Sequence, residues 1–318
     1  MNTTRLHRRW MEAMHRGDFE AAWRETDRAE IPRRAAQQKP GFRREPHHLI
    51  WNGEPLRGRD VVIRCEHGLG DSIQFLRYCP LVRREARSVT VRLQPMLLEL
   101  FEGMAGVDFL LDGWTIPPPP GDRLEVECME LAYLFRHDRQ TLPAAVPYLP
   151  VRRLRESRPA LKIAWPPGPK VALLWAASEW DPSRSLPLEA LAPLGGCHGI
   201  TFFSLQQGEP GLEPAPFPME RPAPLTRNPA DAALALLAVD LVITIDGMLA
   251  HLAGALGRPV WVALKHEADW RWGNDPTRTP WYPTMRLFRQ PHPGDWETPV
   301  REMAMRLAAL YPTGKRER

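Results

Sequence analysis

The sequence is short of lysine and cysteine. Only five of its 42 basic residues are lysines, and 38 acidic residues nearly balance them, which leaves a formal net charge of +4. No helix face carries a sustained run of positive charge, so we expect no nucleic-acid partner. The four cysteines form no CxxC pair: Cys65, Cys79, Cys128 and Cys197. Their spacing is not that of a zinc site or a disulfide framework, which favours a reducing compartment.

Long apolar runs are also absent from the sequence. No stretch reaches the ~18 consecutive apolar residues that a membrane-spanning helix needs. The first residues, MNTTRLHRRWMEAM, lack the apolar centre of a signal peptide. We therefore expect a cytoplasmic protein, although the small basic excess favours an anionic ligand or an anionic membrane surface. With 318 residues, 43% of them hydrophobic, the chain is long enough for two domains.

One segment, Asp240–Gly257, combines a buried strand with a charged turn and a helix. Strand Leu241–Ile245 leads to Asp246, and the helix that follows carries His251. Backbone N–H groups at a helix N-terminus lack internal partners and bind anions, so this turn is a possible site for a pyrophosphate. The alternative is that Asp246 only caps the helix and that His251 belongs to the core.

A second segment, Asp60–Ala86, has the same layout. Strand Val61–Ile63 is followed by a glycine turn at Gly68 and Gly70, and Asp71 opens a helix. The glycines permit positive φ angles and close approach of a ligand to the backbone. The pattern lacks the Walker lysine and the third glycine of the dinucleotide fingerprint, and Asp71 could be a plain cap. The two segments together predict two α/β domains that face one another across a cleft.

Strand and helix patterns alternate on both sides of a proline-rich break at Trp165–Pro169. This alternation predicts mostly parallel, doubly wound sheets. Pro80 lies inside the predicted helix Ser72–Ala86 and should kink or end it. The predicted strands are Val61–Arg64, Ser88–Leu93, Phe109–Leu111, Lys170–Ala176, Ile200–Leu205, Leu241–Ile245, Pro259–Leu264 and Thr284–Arg289. The predicted segments are a helical one at 1–48, α/β domains at 49–165 and 166–297, and a helix within 298–318.

Three stretches resemble a known family. They are GLGDSIQFLRY (Gly68–Tyr78), IDGMLAHLAGALGRPVW (Ile245–Trp261) and DWRW…PWYPTMRLFRQ (Asp269–Gln290). They are similar to glycosyltransferase family 9-like proteins, relatives of ADP-heptose:lipopolysaccharide heptosyltransferases, which often follow tetratricopeptide repeats. The resemblance implies a GT-B-type pair of Rossmann-like domains from about Trp51 onwards, with the last helix crossing back onto the first domain. Gly17–Trp23 likewise resembles part of one tetratricopeptide hairpin.

The resemblance also implies roles for individual residues. Asp71 takes the position of the catalytic base, with Gly68 and Gly70 in the acceptor-side loop. Gln206 takes a ribose-contact position, and the donor diphosphate is implied to meet Arg184, Asp246, Gly247, Met248, Leu249 and His251. One departure is clear, because related sequences usually have threonine at the position of Gly247. The hydroxyl is lost while the backbone amides remain, which should weaken diphosphate binding by ~1 kcal/mol, or by up to ~3 kcal/mol if the partner is charged.

Several functions remain open at this point. The first is an inverting, metal-independent glycosyltransferase that needs no cofactor besides a nucleotide-sugar donor, which the resemblance implies is an ADP-linked heptose. Its acceptor would be a glycan or a lipid-linked molecule of the cell envelope, reached from the cytoplasm or the inner membrane surface. The second is a catalytically inactive relative that serves as a binding or scaffold module. The third is a sugar-nucleotide epimerase on the same fold. The aromatic cluster Trp270, Trp272, Trp281 and Tyr282 is compatible with sugar stacking or with packing.

Overall fold

The computed structural model describes residues 3–43, 49–117, 120–157, 163–222 and 226–312. The chain forms two compact units. The first comprises Met1–Ala144 together with Asp269–Asn274, and the second comprises Ala145–Ala268 together with Asp275–Arg318. The boundary therefore lies about twenty residues before the predicted one at 165/166, and a short segment from the C-terminal half belongs to the first unit.

The first unit is built on a four-stranded parallel sheet in the order β3-β2-β1-β4. Its strands are β1 Asp60–Arg64, β2 Ser88–Leu93, β3 Phe109–Asp112 and β4 Leu124–Glu127. Consecutive residues of β1, Val61, Val62 and Ile63, are all buried, as expected for a parallel strand covered on both faces. The three predicted strands of this unit are present, and β4 is additional.

The helices of the first unit include a hairpin near the N-terminus. They are α1 Thr3–Arg16, α2 Phe19–Gln37, α3 Leu69–Phe75, α4 Cys79–Glu85, α5 Leu98–Phe101 and α6 Leu131–Leu134. Asp18 caps α2 by accepting the Ala21 amide at 3.0 Å. Trp23 joins the hairpin to the rest of the unit, since its indole N–H donates to the His137 carbonyl at 2.9 Å. Its relation to tetratricopeptide repeats stays a prediction.

The predicted helix Ser72–Ala86 is interrupted, as Pro80 requires. A 3-10 turn, Leu76–Tyr78, separates α3 from α4. Pro80 then occupies the first turn of α4, where its missing N–H has no internal partner to lose. The break leaves α3 as a short helix that carries Asp71 in its first turn.

The second unit has a five-stranded parallel sheet in the order β6-β5-β7-β8-β9. Its strands are β5 Lys170–Leu173, β6 Thr201–Ser204, β7 Leu241–Ile245, β8 Val260–Leu264 and β9 Met285–Arg289. Its helices are α7 Val151–Ser157, α8 Pro229–Leu236, α9 Met248–Ala255 and α10 Glu297–Leu310. Every residue of β7 is buried, which fits a central strand covered on both faces. All five predicted strands of this unit are present.

The final helix, α10, belongs to the second unit, and its crossing back onto the first unit stays a prediction. Val300, Met303 and Leu307 of α10 are completely buried in the core of the second unit, with Leu188 and Trp175. These three apolar residues recur at intervals of three and four, which gives α10 one apolar stripe that its own unit covers. Residues 313–318, also part of the predicted segment, lie outside the described residues.

Each sheet has a switch point, where successive connections leave in opposite directions. In the first sheet it lies between β1 and β4, and in the second between β5 and β7. Ligands of open α/β sheets bind beyond the carboxyl ends of the strands at such points. The predicted fold class, two parallel α/β units with a helical N-terminal segment, is confirmed, and the cleft stays a prediction. Among the described residues, no helix is both long and apolar enough to cross a membrane.

Candidate active site

The first unit places Gly68, Gly70 and Asp71 at the switch point of its sheet, after β1. α3 begins at Leu69 with Gly68 as its N-cap residue, so Gly70 and Asp71 lie in its first turn. The Gly68 amide donates a hydrogen bond to Oδ2 of Asp71 at 3.0 Å. The helix thus begins three residues before the predicted start at Ser72. The φ angle of Gly68 is −68°, so the expected positive φ is not needed there.

Arg271 holds the other oxygen of the same carboxylate. Its Nη2 lies 2.6 Å from Oδ1 of Asp71, and its Nη1 lies 2.8 Å from Oδ1 of Asp269. The guanidinium carbon lies 4.6 Å from the ring centre of Trp270 and 5.7 Å from that of Phe75. Asp71 and Arg271 both belong to the first unit because Asp269–Asn274 joins it. The sequence did not identify Arg271, although an arginine between two tryptophans of the DWRW stretch was a signal.

Asp71 keeps the capacity to accept a proton from a substrate. A carboxylate offers about four lone-pair positions, and its bonds to the Gly68 amide and to Arg271 occupy two of them. The side chain is 22% exposed, so a hydroxyl group can approach it. A general base needs a heavy-atom distance of about 2.6–3.2 Å to the proton donor. The surroundings of Asp71 permit that approach.

Two further carboxylates lie at this switch point: Glu127 is the last residue of β4, and Glu130 follows in the next turn. Burial raises the pKa of Glu127, although its carboxylate accepts the Met129 amide at 2.6 Å. Burial also raises the pKa of Glu130 to about 7, against the opposing effect of backbone amides such as that of Trp51, which donates at 2.9 Å. The sequence missed both because it missed β4. The alternation Leu-Glu-Val-Glu was the available signal.

The raised pKa of Glu130 predicts that the first unit becomes less stable as the pH rises. Between pH 4.5 and about 7 the folded state keeps a proton that the unfolded state has lost, so the free energy of unfolding decreases with pH. The loss should be on the order of 3 kcal/mol and should level off above pH 7. Urea unfolding from pH 4.5 to 8 measures it. Glu130→Gln should flatten most of the slope, and a wild-type profile that is already flat would contradict the assignment.

The second unit places the start of α9 at its own switch point. Gly247 is the N-cap residue, with extended backbone at φ −173°. Ala250 is the donor that closes the first turn, bonding to the Gly247 carbonyl at 3.1 Å. The amides of Met248 and Leu249 precede it, in the positions of a helix that have no intrahelical acceptor. Asp246 is largely buried between this turn and β7.

Two cationic side chains, Arg184 and Lys265, lie at the same carboxyl edge of the second sheet. Nη1 of Arg184 donates to the Asp246 carbonyl at 3.2 Å, which ties the loop after β5 to the start of α9. Nζ of Lys265, just after β8, lies 2.8 Å from Oδ2 of Asp181, and Nε of Arg184 lies 3.7 Å from the same oxygen. Burial acts to raise the pKa of Asp181, but hydrogen bonds from Lys265 and Ser183 outweigh it and the pKa is lowered. The sequence did not identify Lys265.

Gln206 and His251 are more buried than residues that contact a donor nucleotide are expected to be. Oε1 of Gln206 accepts the amides of Trp175 at 3.2 Å and Ala176 at 2.9 Å, so the side chain supports the loop after β5. His251 is only 5% exposed, and its Nδ1 lies 3.1 Å from the hydroxyl of Tyr282. This is the core position that the sequence left open as an alternative. Donor contacts by these two residues stay predictions.

The aromatic cluster is divided between the two units. Trp272 lies in the first unit, Trp281 and Tyr282 lie in the second, and each is only 1% exposed. Buried rings of this kind do not offer a face to a sugar. Trp270 packs edge-on against Trp10, with ring centres 5.3 Å apart. Packing, rather than sugar stacking, therefore explains most of this cluster.

A cavity of about 660 Å³ lies elsewhere in the first unit. Asp60, Ser88 and Phe109, which line it, are the first residues of β1, β2 and β3. Ligands of parallel sheets bind at the carboxyl edge, whereas this cavity opens toward the amino edge. In the part of the chain that the structure describes, no cluster of three or more His, Cys, Asp or Glu side chains is arranged to hold a metal ion.

The chain is similar in fold to solved glycosyltransferases. A glycosyl transferase family 9 structure from Veillonella parvula aligns with a TM-score of 0.56 and 12% identity, over 81% of this chain and 98% of that one. E. coli ADP-heptose lipopolysaccharide heptosyltransferase II aligns with a TM-score of 0.51 and 15% identity, over 79% and 98%. E. coli heptosyltransferase WaaC with ADP aligns with a TM-score of 0.50 and 13% identity, over 79% and 99%.

Among curated proteins, the chain is 28% identical over 301 residues to protein FlbA of Caulobacter vibrioides. The match covers 85% of this chain but 48% of FlbA, so the chain spans about half the length of that relative. No protein-family model matches the chain. The structural comparisons confirm, at the level of the fold, the resemblance to family 9 glycosyltransferases that the motifs carry.

Proposed function

We propose that the chain is a glycosyltransferase that moves a sugar from a nucleoside-diphosphate donor to a hydroxyl acceptor. Arg184 carries this proposal, because its guanidinium joins the loop after β5 to the start of α9 at the switch point. Positive charge and helix amides at such a point bind phosphate groups. The solved structures of similar fold include a heptosyltransferase with ADP, which favours an ADP-linked, heptose-like donor.

In the proposed reaction, the acceptor oxygen attacks the anomeric carbon of the donor. Asp71 accepts the proton of that hydroxyl as the new bond forms. The bond between the anomeric carbon and the phosphate oxygen breaks on the opposite face, which inverts the configuration, and the nucleoside diphosphate leaves with the electron pair. Arg184 and Lys265 both pair with Oδ2 of Asp181, so the two cations lie close together. They can therefore stabilise the charge that develops on the leaving group.

Two fixed cations can supply the charge that a metal ion supplies in other sugar-nucleotide enzymes, so we propose a metal-independent reaction with no further cofactor. The acceptor would be a glycan or a lipid-linked molecule of the cell envelope. We place the reaction in the cytoplasm, with peripheral attachment to the inner membrane surface. These assignments rest on the resemblance and on the net positive charge.

The alternative is a catalytically inactive binding module, and Gly247 favours it because the usual hydroxyl at the phosphate turn is missing.

Thermal unfolding with ADP, UDP, GDP, CDP and dTDP tests the donor site for the active enzyme and for the inactive module. A ligand at 100 times its Kd adds ~2.7 kcal/mol to stability, which should raise Tm by several degrees. Retained binding without sugar transfer to any envelope glycan would favour the inactive module, and no shift with any nucleotide would contradict the donor site.

Replacing Gly247 with threonine should strengthen nucleotide binding. The backbone of Gly247 is extended, and an added Cβ would meet no atom within 4 Å, so a side chain can start there without a clash at Cβ. One regained hydrogen bond of ~1 kcal/mol corresponds to roughly fivefold lower Kd. Titration calorimetry with ADP measures it. Gly247→Ala is the matched control, and equal affinities for the threonine and alanine variants would show that the hydroxyl contributes nothing.

A further inference from the structure

We propose that Arg271 is a positioning residue that fixes the orientation of the catalytic base, Asp71. This inference rests on the proposed function, and it concerns the six-residue segment Asp269–Asn274. That segment is separated from the rest of the first unit by more than a hundred residues of sequence, yet it belongs to that unit. The sequence motifs around Arg271 assign no role to it.

The guanidinium of Arg271 is itself held on several sides. Asp269 accepts from Nη1 at 2.8 Å, and Asp269 also caps the turn by accepting the Arg271 amide at 3.0 Å. Trp270 and Phe75 lie beside the guanidinium plane, where their ring faces attract a cation. The side chain is only 11% exposed. An arginine held in this way presents its remaining donors in a fixed direction.

The fixed donor and the Gly68 amide together define the plane of the Asp71 carboxylate. Nη2 of Arg271 donates to Oδ1 at 2.6 Å, and the Gly68 amide donates to Oδ2 at 3.0 Å. With one donor on each oxygen, rotation of the carboxyl group would break at least one charge-assisted or backbone hydrogen bond. The lone pairs that remain are therefore held in one orientation. A base in a fixed orientation is what proton abstraction from an acceptor hydroxyl requires.

This role predicts a specific kinetic result for Arg271→Ala. The kcat for ADP release should fall by about 10²-fold, as expected for a misplaced catalytic group. The KM for the donor should stay unchanged, because Arg271 positions the base and does not bind the nucleotide. Arg271→Lys should restore only part of the rate, since an ammonium is a point charge without the guanidinium fork.

The test uses ADP-heptose as donor, deacylated lipopolysaccharide saccharides as acceptors, and guanidinium chloride at low millimolar concentration as a rescue reagent. Guanidinium should raise the kcat of Arg271→Ala in a saturable manner and leave the wild type unchanged. Arg83→Ala is the matched control, since Arg83 pairs with Asp108 at 2.8 Å in the same unit, away from Asp71. Its kcat should be normal with and without guanidinium.

Three results would overturn the inference. A normal kcat for Arg271→Ala would show that Asp71 needs no such support. A raised KM with normal kcat would make Arg271 a ligand-binding residue instead. A lowered kcat that neither guanidinium nor Arg271→Lys restores, together with a lowered Tm, would make its role merely structural. Failure of the proposed function would give a different result. The wild-type chain would then bind ADP but would release no ADP from ADP-heptose, so the proposed reaction would be contradicted whatever Arg271 does.

Discussion

Asp71→Asn is expected to reduce sugar transfer by about 10³-fold while leaving nucleotide binding intact. A general base contributes roughly 10²–10⁴-fold to a rate, and an amide of the same shape cannot accept the hydroxyl proton. Nucleotide binding should persist because the switch-point residues of the second unit, such as Arg184 and Asp246, are unchanged. Steady-state release of ADP from ADP-heptose gives the rate, and thermal shift with ADP gives the binding.

A control of matched chemistry separates catalysis from stability. Asp108→Asn makes the same substitution in the same unit, at a carboxylate that pairs with Arg83 and accepts the Val89 amide at 2.8 Å. It should transfer sugar normally at temperatures below its Tm. If Asp71→Asn also transferred at the wild-type rate, Asp71 would be only the partner of Gly68 and Arg271 in the first turn of α3.

The sheet strands could be predicted from the sequence because their pattern is local. Buried runs such as Leu241–Ile245 and Ser88–Leu93 have the predicted bounds in the structure. β4 could not be recognised with the same ease, since four residues with two glutamates carry little apolar signal. The sequence also predicts a helix at Leu188–Leu194, and the structure has a 3-10 helix there that continues to Gly196, with Pro193 inside it. Proline removes an α-helical hydrogen bond there, and local propensity alone did not reveal which helix type would form.

The site was predictable where its residues lie within a strand–turn–helix motif. Asp71 and Asp246 stand in the same motifs as the strands that precede them, so the sequence identified both. Arg271 and Lys265 were missed because their partners, Asp71 and Asp181, lie far away in the sequence. A one-dimensional pattern contains no information on such pairs. The burial of His251 was likewise decided by packing against Tyr282, across another stretch of chain.

Arg184→Ala is expected to lower kcat by about 10²–10³-fold, as found when one preorganised donor to a developing charge is removed. The loss should exceed the effect on donor Kd, because the charge on the leaving diphosphate grows during bond cleavage. Lys265 remains in place in this variant, held by Asp181 and Ser183. If both cations act on one diphosphate, the loss in the double variant with Lys265→Ala should differ from the product of the two single losses.

The comparison with Mg²⁺ and EDTA decides whether these cations replace a metal ion. If they do, EDTA leaves the wild-type rate unchanged, and Mg²⁺ restores part of the activity that Arg184→Ala loses. Arg221→Ala is the matched control, because Arg221 is an exposed arginine of the same unit that donates to backbone carbonyls, including that of Glu213 at 2.6 Å. Full inhibition of the wild type by EDTA, with a normal rate for Arg184→Ala, would assign the charge to a metal ion. The guanidinium at the switch point would then be a structural link between the β5 loop and α9.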